Sequence, residues 1–299
     1  MTRTYLCIIL GSLLLGAMPA AARPQPPKED ADVFLNLTRK LLKWDVPAEP
    51  AKLVGPIHFV GTKGLASFLI AGSDGHVLLY SGMPGSGPMI EKSIEKLGFK
   101  PTDVKIILTG HAHIDHVGGH AYLKKATGAK IAMMREEVEL FESGGKTDFQ
   151  YGESKAFRFD PAKVDTVLRD EDAVKLGDIR LTAHLTPGHT KGSTTYVMKV
   201  NDGGKSYTVV FPDGTGVNPG YRIAKNPSYE GIADDYRKTF RILEGLMPDI
   251  WLAPHNEVYG LDAKRTKVAK DGTAAWVDPE GYKKFIATQK EKFDTVAKN

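Results

Sequence analysis

The chain of 299 residues has one cysteine, Cys7, and it lies inside the apolar stretch Tyr5–Met18 at the start. That scarcity excludes a disulfide framework and removes thiolates from the nucleophiles and metal ligands available to the rest of the chain. An excess of either charge is missing too. The 40 Lys and Arg stand against 36 Asp and Glu and are spread along the sequence, with no basic stripe interleaved with aromatics. Such a balance gives no electrostatic footprint for nucleic acid. Long apolar runs are also absent: Tyr5–Met18 is about 14 residues, where a bilayer span needs about 20. With Arg3 before it and Ala20-Ala21-Ala22 after it, the run has the layout of a secretory signal peptide, residues 1–22. The chain is therefore expected in the periplasm without a stable membrane anchor. Loss of Arg3 with the signal leaves a net charge near +3.

What remains has ordinary globular composition, 41% apolar and 25% charged. Residues 23–31 are Pro-rich and polar, a flexible lead-in, and residues 32–299 read as a single domain without linker or repeat. Apolar clustering from Val33 to Trp44 predicts a packing helix, and i, i+4, i+7 spacing at Ile90, Ile94 and Leu97 predicts another. Helices are also expected at 119–125, 136–142, 229–246 and 279–297, with residues 143–163 as a loop. Strands are expected at 57–60, 66–70, 77–80, 104–108, 130–134, 179–185, 194–200, 206–211 and 249–253. Ser73-Asp74-Gly75 and Asn201-Asp202-Gly203-Gly204 mark two hairpins. These hairpins disfavour a doubly wound parallel sheet and favour an α/β (α+β) domain of two mixed sheets with helices outside.

The densest chemistry follows the strand at 104–108. His111-Ala-His113-Ile-Asp115-His116 packs three imidazoles and a carboxylate into six residues, a concentration that points to a metal such as Zn²⁺. Three other predicted strands deliver polar residues at their carboxyl ends: Pro187-Gly188-His189, then Pro212-Asp213-Gly214-Thr215-Gly216, then Pro254-His255-Asn256. Open α/β sheets place ligand sites there, so one convergent site would account for all four. In an extended segment His111 and His113 face the same way, and a turn after His113 would let Asp115 and His116 serve a second ion. Of the remaining histidines, His58, His76 and His184 read as structural, and His120 as a support or surface residue. Asp213 reads either as a turn residue or as a carboxylate bridging two metals.

His111-x-His113-x-Asp115-His116, His189 within Thr-Pro-Gly-His-Thr-x-Gly-Ser, and His255 together resemble the pattern of the metallo-β-lactamase superfamily. The likeness is greatest to the third subclass of zinc β-lactamases, whose second zinc takes Asp and two His where other subclasses use Cys. Residues 61–65, 226–240 and 249–255 share it. The resemblance implies a four-layer αβ/βα sandwich holding two Zn(II) ions, one on His111, His113 and His189, the other on Asp115, His116 and His255. It also implies a bridging hydroxide oriented by Asp115 and a small-molecule β-lactam substrate, for which Thr215 is the hydroxyl this chain has to offer; a monomer is expected. Lactonase or thioester hydrolysis on the same fold is the alternative, with Asp213 bridging, and a non-catalytic zinc-binding protein is a further one. Two departures stand out. Thr109-Gly110 precedes the first histidine where Asn-Thr is common, and Gly214-Thr215-Gly216 occupies a loop where a Ser is common.

Overall fold

The computed structural model describes residues 28–298. The signal segment 1–22 and residues 23–27 of the lead-in lie outside the described residues. The first sheet runs in sequence order through β1 (Ala51–Val54), β2 (Ile57–Phe59), β3 (Phe68–Gly72), β4 (Gly75–Leu79), β5 (Val104–Leu108), β6 (Lys130–Met134) and β7 (Thr166–Leu168). The second contains β8 (Ala173–Leu176), β9 (Ile179–Leu185), β10 (Thr194–Asp202), β11 (Lys205–Phe211) and β12 (Ile250–Trp251), in the order β12-β11-β10-β9-β8. Strands joined by short turns pair antiparallel, β1 to β4 and β8 to β11. Those separated by helices pair parallel, β4 to β7 and β11 with β12, because a parallel return needs a crossover. Both sheets are mixed, as expected.

Alternation along the strands explains why helices cover the outside. Phe68, Ile70, Val77 and Leu79 point into a core shared with Tyr196, Met198 and Phe211 of the second sheet. Their neighbours Leu69 and Leu78 point the other way, into a core closed by Ile90, Ile94, Leu123 and Phe141. A sheet apolar on both faces needs a cover on each. Helices 87–96, 120–127 and 135–142 carry the residues that close the first sheet's outer face. Over the second sheet, helices Ile232–Gly245 and Pro279–Ala297 pack on each other through Tyr236 and Phe293, ring centroids 5.1 Å apart.

The hairpin expected at 201–204 joins β10 to β11 through Gly203 and Gly204, both at positive φ (57° and 79°), which glycine adopts without a Cβ clash. Several boundaries differ from the sequence expectation. The first helix begins at Lys28, inside the expected lead-in, and the polar Lys-Glu-Asp residues of its first turn carry no apolar signal that would have shown it. The 229–246 helix starts at Ile232. Strands β1, β7 and β8 were not expected, being short and only partly buried. Helix Leu261–Asp271 was not expected either, since it buries only Leu261 and Lys264.

Candidate metal centre

Four connections at the carboxyl ends of β5, β9, β11 and β12 meet at one rim of the two sheets. After β5 the backbone stays extended to His113 (φ −81°, ψ 153°) and then turns into the short helix Ile114–Val117. This change of direction aims His111 and His113 at one point and Asp115 and His116 at another. His189 follows β9 and His255 follows β12. The six side chains form two triads, His111/His113/His189 and Asp115/His116/His255, and within each the ligand atoms lie within 4.8 Å of one another. The triads adjoin, with the His111 and His116 rings 4.4 Å apart.

Donor geometry fits divalent ions. Asp115 Oδ2 lies 3.3 Å from His116 Nε2 and 3.5 Å from His255 Nε2. Ligand atoms about 2.1 Å from a tetrahedral zinc would be spaced about 3.4 Å apart. Buried imidazole nitrogens normally find partners, yet His111 Nε2 has none. The opposite nitrogens of the first triad are held. His111 Nδ1 lies 2.8 Å from Asp213 Oδ1, His113 Nε2 3.0 Å from Asp148 Oδ2, and His189 Nδ1 2.7 Å from the Gly216 carbonyl. One nitrogen of each ring is thereby left for an ion, the arrangement typical of ligating histidines.

Electrostatics agree for three of the imidazoles, while at His113 burial is outweighed by the hydrogen bond and charge of Asp148, which raise its pKa. Burial, reinforced by neighbouring imidazoles, holds His111 well below its usual pKa, and burial lowers His116 likewise. Burial and then His113 bring His189 down to about 4. These rings are therefore neutral at pH 7, as ligands must be. Burial alone would raise Asp115, but His116, His255, His111 and His113 outweigh it and hold the carboxylate far below its usual range.

Two adjoining cavities of about 190 and 210 Å³ open on the triads. Thr215, Asn218, Phe285 and Gln289 line one, and Leu35, Trp44, Tyr151 and Phe157 the other. Among the described residues, neither has Lys or Arg in its lining.

Other sequence candidates fall elsewhere. His58 and His76 pack edge-on against Phe99 at 5.0 and 4.9 Å. His184 stays on β9 opposite Thr195. His120 is fully buried, with Nδ1 2.6 Å from Ser81 Oγ, so it is a support and not a surface residue. Asp213 sits behind His111 and belongs to neither triad.

Two acids escaped the sequence reading. Asp148 comes from the loop 143–163, where spacing offers no clue. Glu137 is 1% exposed and ties the ligand loops together: its Oε1 accepts the Ala112 N–H at 2.6 Å, and its Oε2 accepts the Thr190 hydroxyl and the Gly192 N–H at 2.7 and 2.9 Å. A signal for Glu137 existed, since it shares a buried helix face with Leu140 and Phe141.

Comparison with known proteins places these features in context. The family model described as the metallo-beta-lactamase superfamily matches residues 60–255. The chain is similar to the native FEZ-1 metallo-β-lactamase from Legionella gormanii, with 42% identity, TM-score 0.81, and coverage of 84% of this chain and 95% of that one. It is also similar to BJP-1, a subclass B3 metallo-β-lactamase of Bradyrhizobium japonicum, with 39% identity, TM-score 0.80, and coverage of 85% and 96%. Curated relatives match over less. A hydroxyacylglutathione hydrolase of Rhodopseudomonas palustris is 28% identical over 140 residues, 47% of this chain and 46% of its own length. A probable metallo-hydrolase of Burkholderia pseudomallei is 35% identical over 95 residues, 32% of this chain and 31% of its own length.

Proposed function

The chain belongs to the metallo-β-lactamase superfamily, and on that premise we propose that it is a di-zinc hydrolase that opens the β-lactam ring of penicillins, cephalosporins and carbapenems. The observation that carries the reading is the place of Asp213. Lactonase or thioester chemistry on this fold calls for a bridging carboxylate at this position, and the Asp213 carboxylate is instead turned to His111 Nδ1 and the Gly214 N–H. Likeness to two metallo-β-lactamases over nearly their whole length supports the same choice. The partial match to a hydroxyacylglutathione hydrolase favours a thioester as the second reading.

His111, His113 and His189 would hold one zinc, and Asp115, His116 and His255 the other. Bound there, zinc supplies Lewis acidity that polarises a carbonyl and lowers the pKa of water from about 15.7 to about 7. Asp115, ionised and next to the reacting atoms, orients the attacking water and takes its proton. The water oxygen adds to the lactam carbonyl carbon, the ring C–N bond breaks, and the nitrogen receives the proton that Asp115 relays. No covalent acyl-enzyme is needed. The second triad is the more open, with the His255 side chain 26% exposed, which suits it to meet the leaving nitrogen and the substrate carboxylate.

With no Lys or Arg among the described lining residues, the substrate carboxylate needs neutral donors, and Thr215 offers a hydroxyl for it. Thr215→Val is expected to raise KM about 3- to 10-fold with kcat nearly unchanged, the loss of one hydrogen bond of about 0.5–1.5 kcal/mol. A kcat drop with constant KM would contradict that role.

Residues 1–22 are proposed to be removed on export to the periplasm, where a monomeric enzyme of this kind would give resistance to β-lactam antibiotics. The deciding experiment is an assay of the purified mature protein on a carbapenem, a cephalosporin and a glutathione thioester, with and without a chelator. Chelator-sensitive ring opening is expected. Thioester cleavage without ring opening would select the second reading, and no turnover of any substrate would leave a zinc-binding protein.

A further inference from the structure

The carboxylate of Asp213 takes no part in the chemistry above, yet the fold spends much on holding it. Asp213 is 5% exposed. Its Oδ1 lies 2.8 Å from His111 Nδ1 and accepts the Gly214 N–H at 2.6 Å, and the Tyr80 hydroxyl donates to Oδ2 at 3.4 Å. Its backbone N–H donates to Thr195 Oγ1 at 3.0 Å. Space for the carboxylate is made by the residue before the first histidine of the motif: a Cβ on Gly110 would lie 1.9 Å from Asp213 Oδ2 and 2.9 Å from the Tyr80 hydroxyl. Residues 110 and 213 share one volume, so the glycine of Thr109-Gly110 and the acid of Pro212-Asp213-Gly214 are two halves of one feature.

We propose that Asp213 is a positioning residue for the first metal, fixing His111 as its Nδ1–H tautomer so that Nε2 presents its lone pair to the ion, and that position 110 is glycine to admit it. The proposal rests on the reading of the two triads as metal sites. A ligating imidazole must be deprotonated at the metal-facing nitrogen, and a carboxylate accepting from the other nitrogen fixes both proton and ring orientation while raising the basicity of the ligand. His111 Nε2 is buried and unpartnered, as this requires. The support is uneven between the triads. Asp213 and Asp148 back two imidazoles of the first, whereas His116 Nδ1 in the second has no hydrogen-bond partner. Loss of Asp213 should therefore be felt at one site only.

The test is metal binding, read without turnover by titrating metal-free protein with Zn²⁺ against a chromophoric chelator. Asp213→Asn keeps the shape and removes the charge, and is expected to weaken one of the two ions about 10- to 100-fold. Paired with Asp115→Asn, which disables the second triad, it weakens the ion that remains. Paired with His189→Ala, which disables the first, it changes nothing. Unaltered affinity in Asp213→Asn, or equal weakening at both sites, overturns the proposal while leaving the hydrolase reading intact. Wild-type protein that binds fewer than two ions overturns both.

A packing control separates charge from volume. Gly110→Ala is expected to lower the melting temperature of the metal-free protein, and Gly110→Ala with Asp213→Gly to recover it, because the two sites share space. The double variant should still bind the first ion weakly. Wild-type affinity in that variant would show that the carboxylate is dispensable, and would overturn the proposal.

Discussion

Asp115→Asn is expected to lower kcat for β-lactam hydrolysis by about 10²- to 10⁴-fold, the range for removal of a positioned proton-transfer group. Asn preserves the shape of a side chain packed within 3.3 and 3.5 Å of His116 and His255, so the fold should survive. What it removes is the only negative charge of the second triad and the only base in either triad not tied up as an imidazole ligand. Two measurements separate these contributions. Metal analysis should show the second ion bound more weakly than in the wild type, and turnover at saturating Zn²⁺ should remain depressed. Full recovery of rate by added metal would reduce Asp115 to a ligand and remove it from the proton-transfer step. Wild-type turnover with two ions bound would remove it from the mechanism altogether.

How much of this was legible in the sequence differs from residue to residue, for physical reasons. His111, His113, Asp115 and His116 are contiguous, so local backbone geometry almost dictates that they share a site. His189 and His255 are distant in sequence, yet each follows a β-strand signal and a proline-containing turn, and that placement was enough to group them. The two mixed sheets followed from hairpin glycines and apolar runs. Strands β1, β7 and β8 did not, because their short runs are only partly buried, unlike the equally short but mostly buried β2, and their pairing comes from the neighbouring strands. Asp213 was visible but ambiguous: an Asp before a Gly looks the same in a turn, as a bridging ligand, or behind a histidine. Its role depends on Gly110, about a hundred residues away, and only the folded chain brings them together. Asp148 left no trace at all, since its contact with His113 is set by how a polar loop docks.

Glu137 is where a residue outside the metal motif should have the largest effect on stability. Its carboxylate accepts from Ala112, which lies between the two first-site histidines of the motif, and from Thr190 and Gly192, which follow His189. It thus ties together the two loops that must converge for the first triad to exist. Glu137→Ala leaves two buried N–H groups and a hydroxyl without that acceptor and opens a cavity, at a cost of about 3–5 kcal/mol. For a chain of this size the melting temperature should fall by roughly 10 °C, and first-site metal affinity should fall with it. Glu137→Gln isolates the charge. Burial pushes the Glu137 carboxyl up to about 7, against the downward pull of the Ala112, Thr190 and Gly192 donors and of His113. A group whose folded pKa exceeds its unfolded value stabilises the fold fully below the unfolded value, near 4.5, and loses that contribution as pH rises through the folded one. Metal-free wild type should therefore lose stability relative to Glu137→Gln between about pH 4.5 and 7, on the order of 3 kcal/mol, with the difference constant above. The lowered histidines titrate with the opposite sign, are common to both proteins and cancel in the comparison, whereas His113, raised and coupled to Glu137, is shifted by the substitution itself. Parallel melting curves for the two proteins from pH 4.5 to 8 would mean that Glu137 is ionised throughout, and would leave its three hydrogen bonds as its whole contribution.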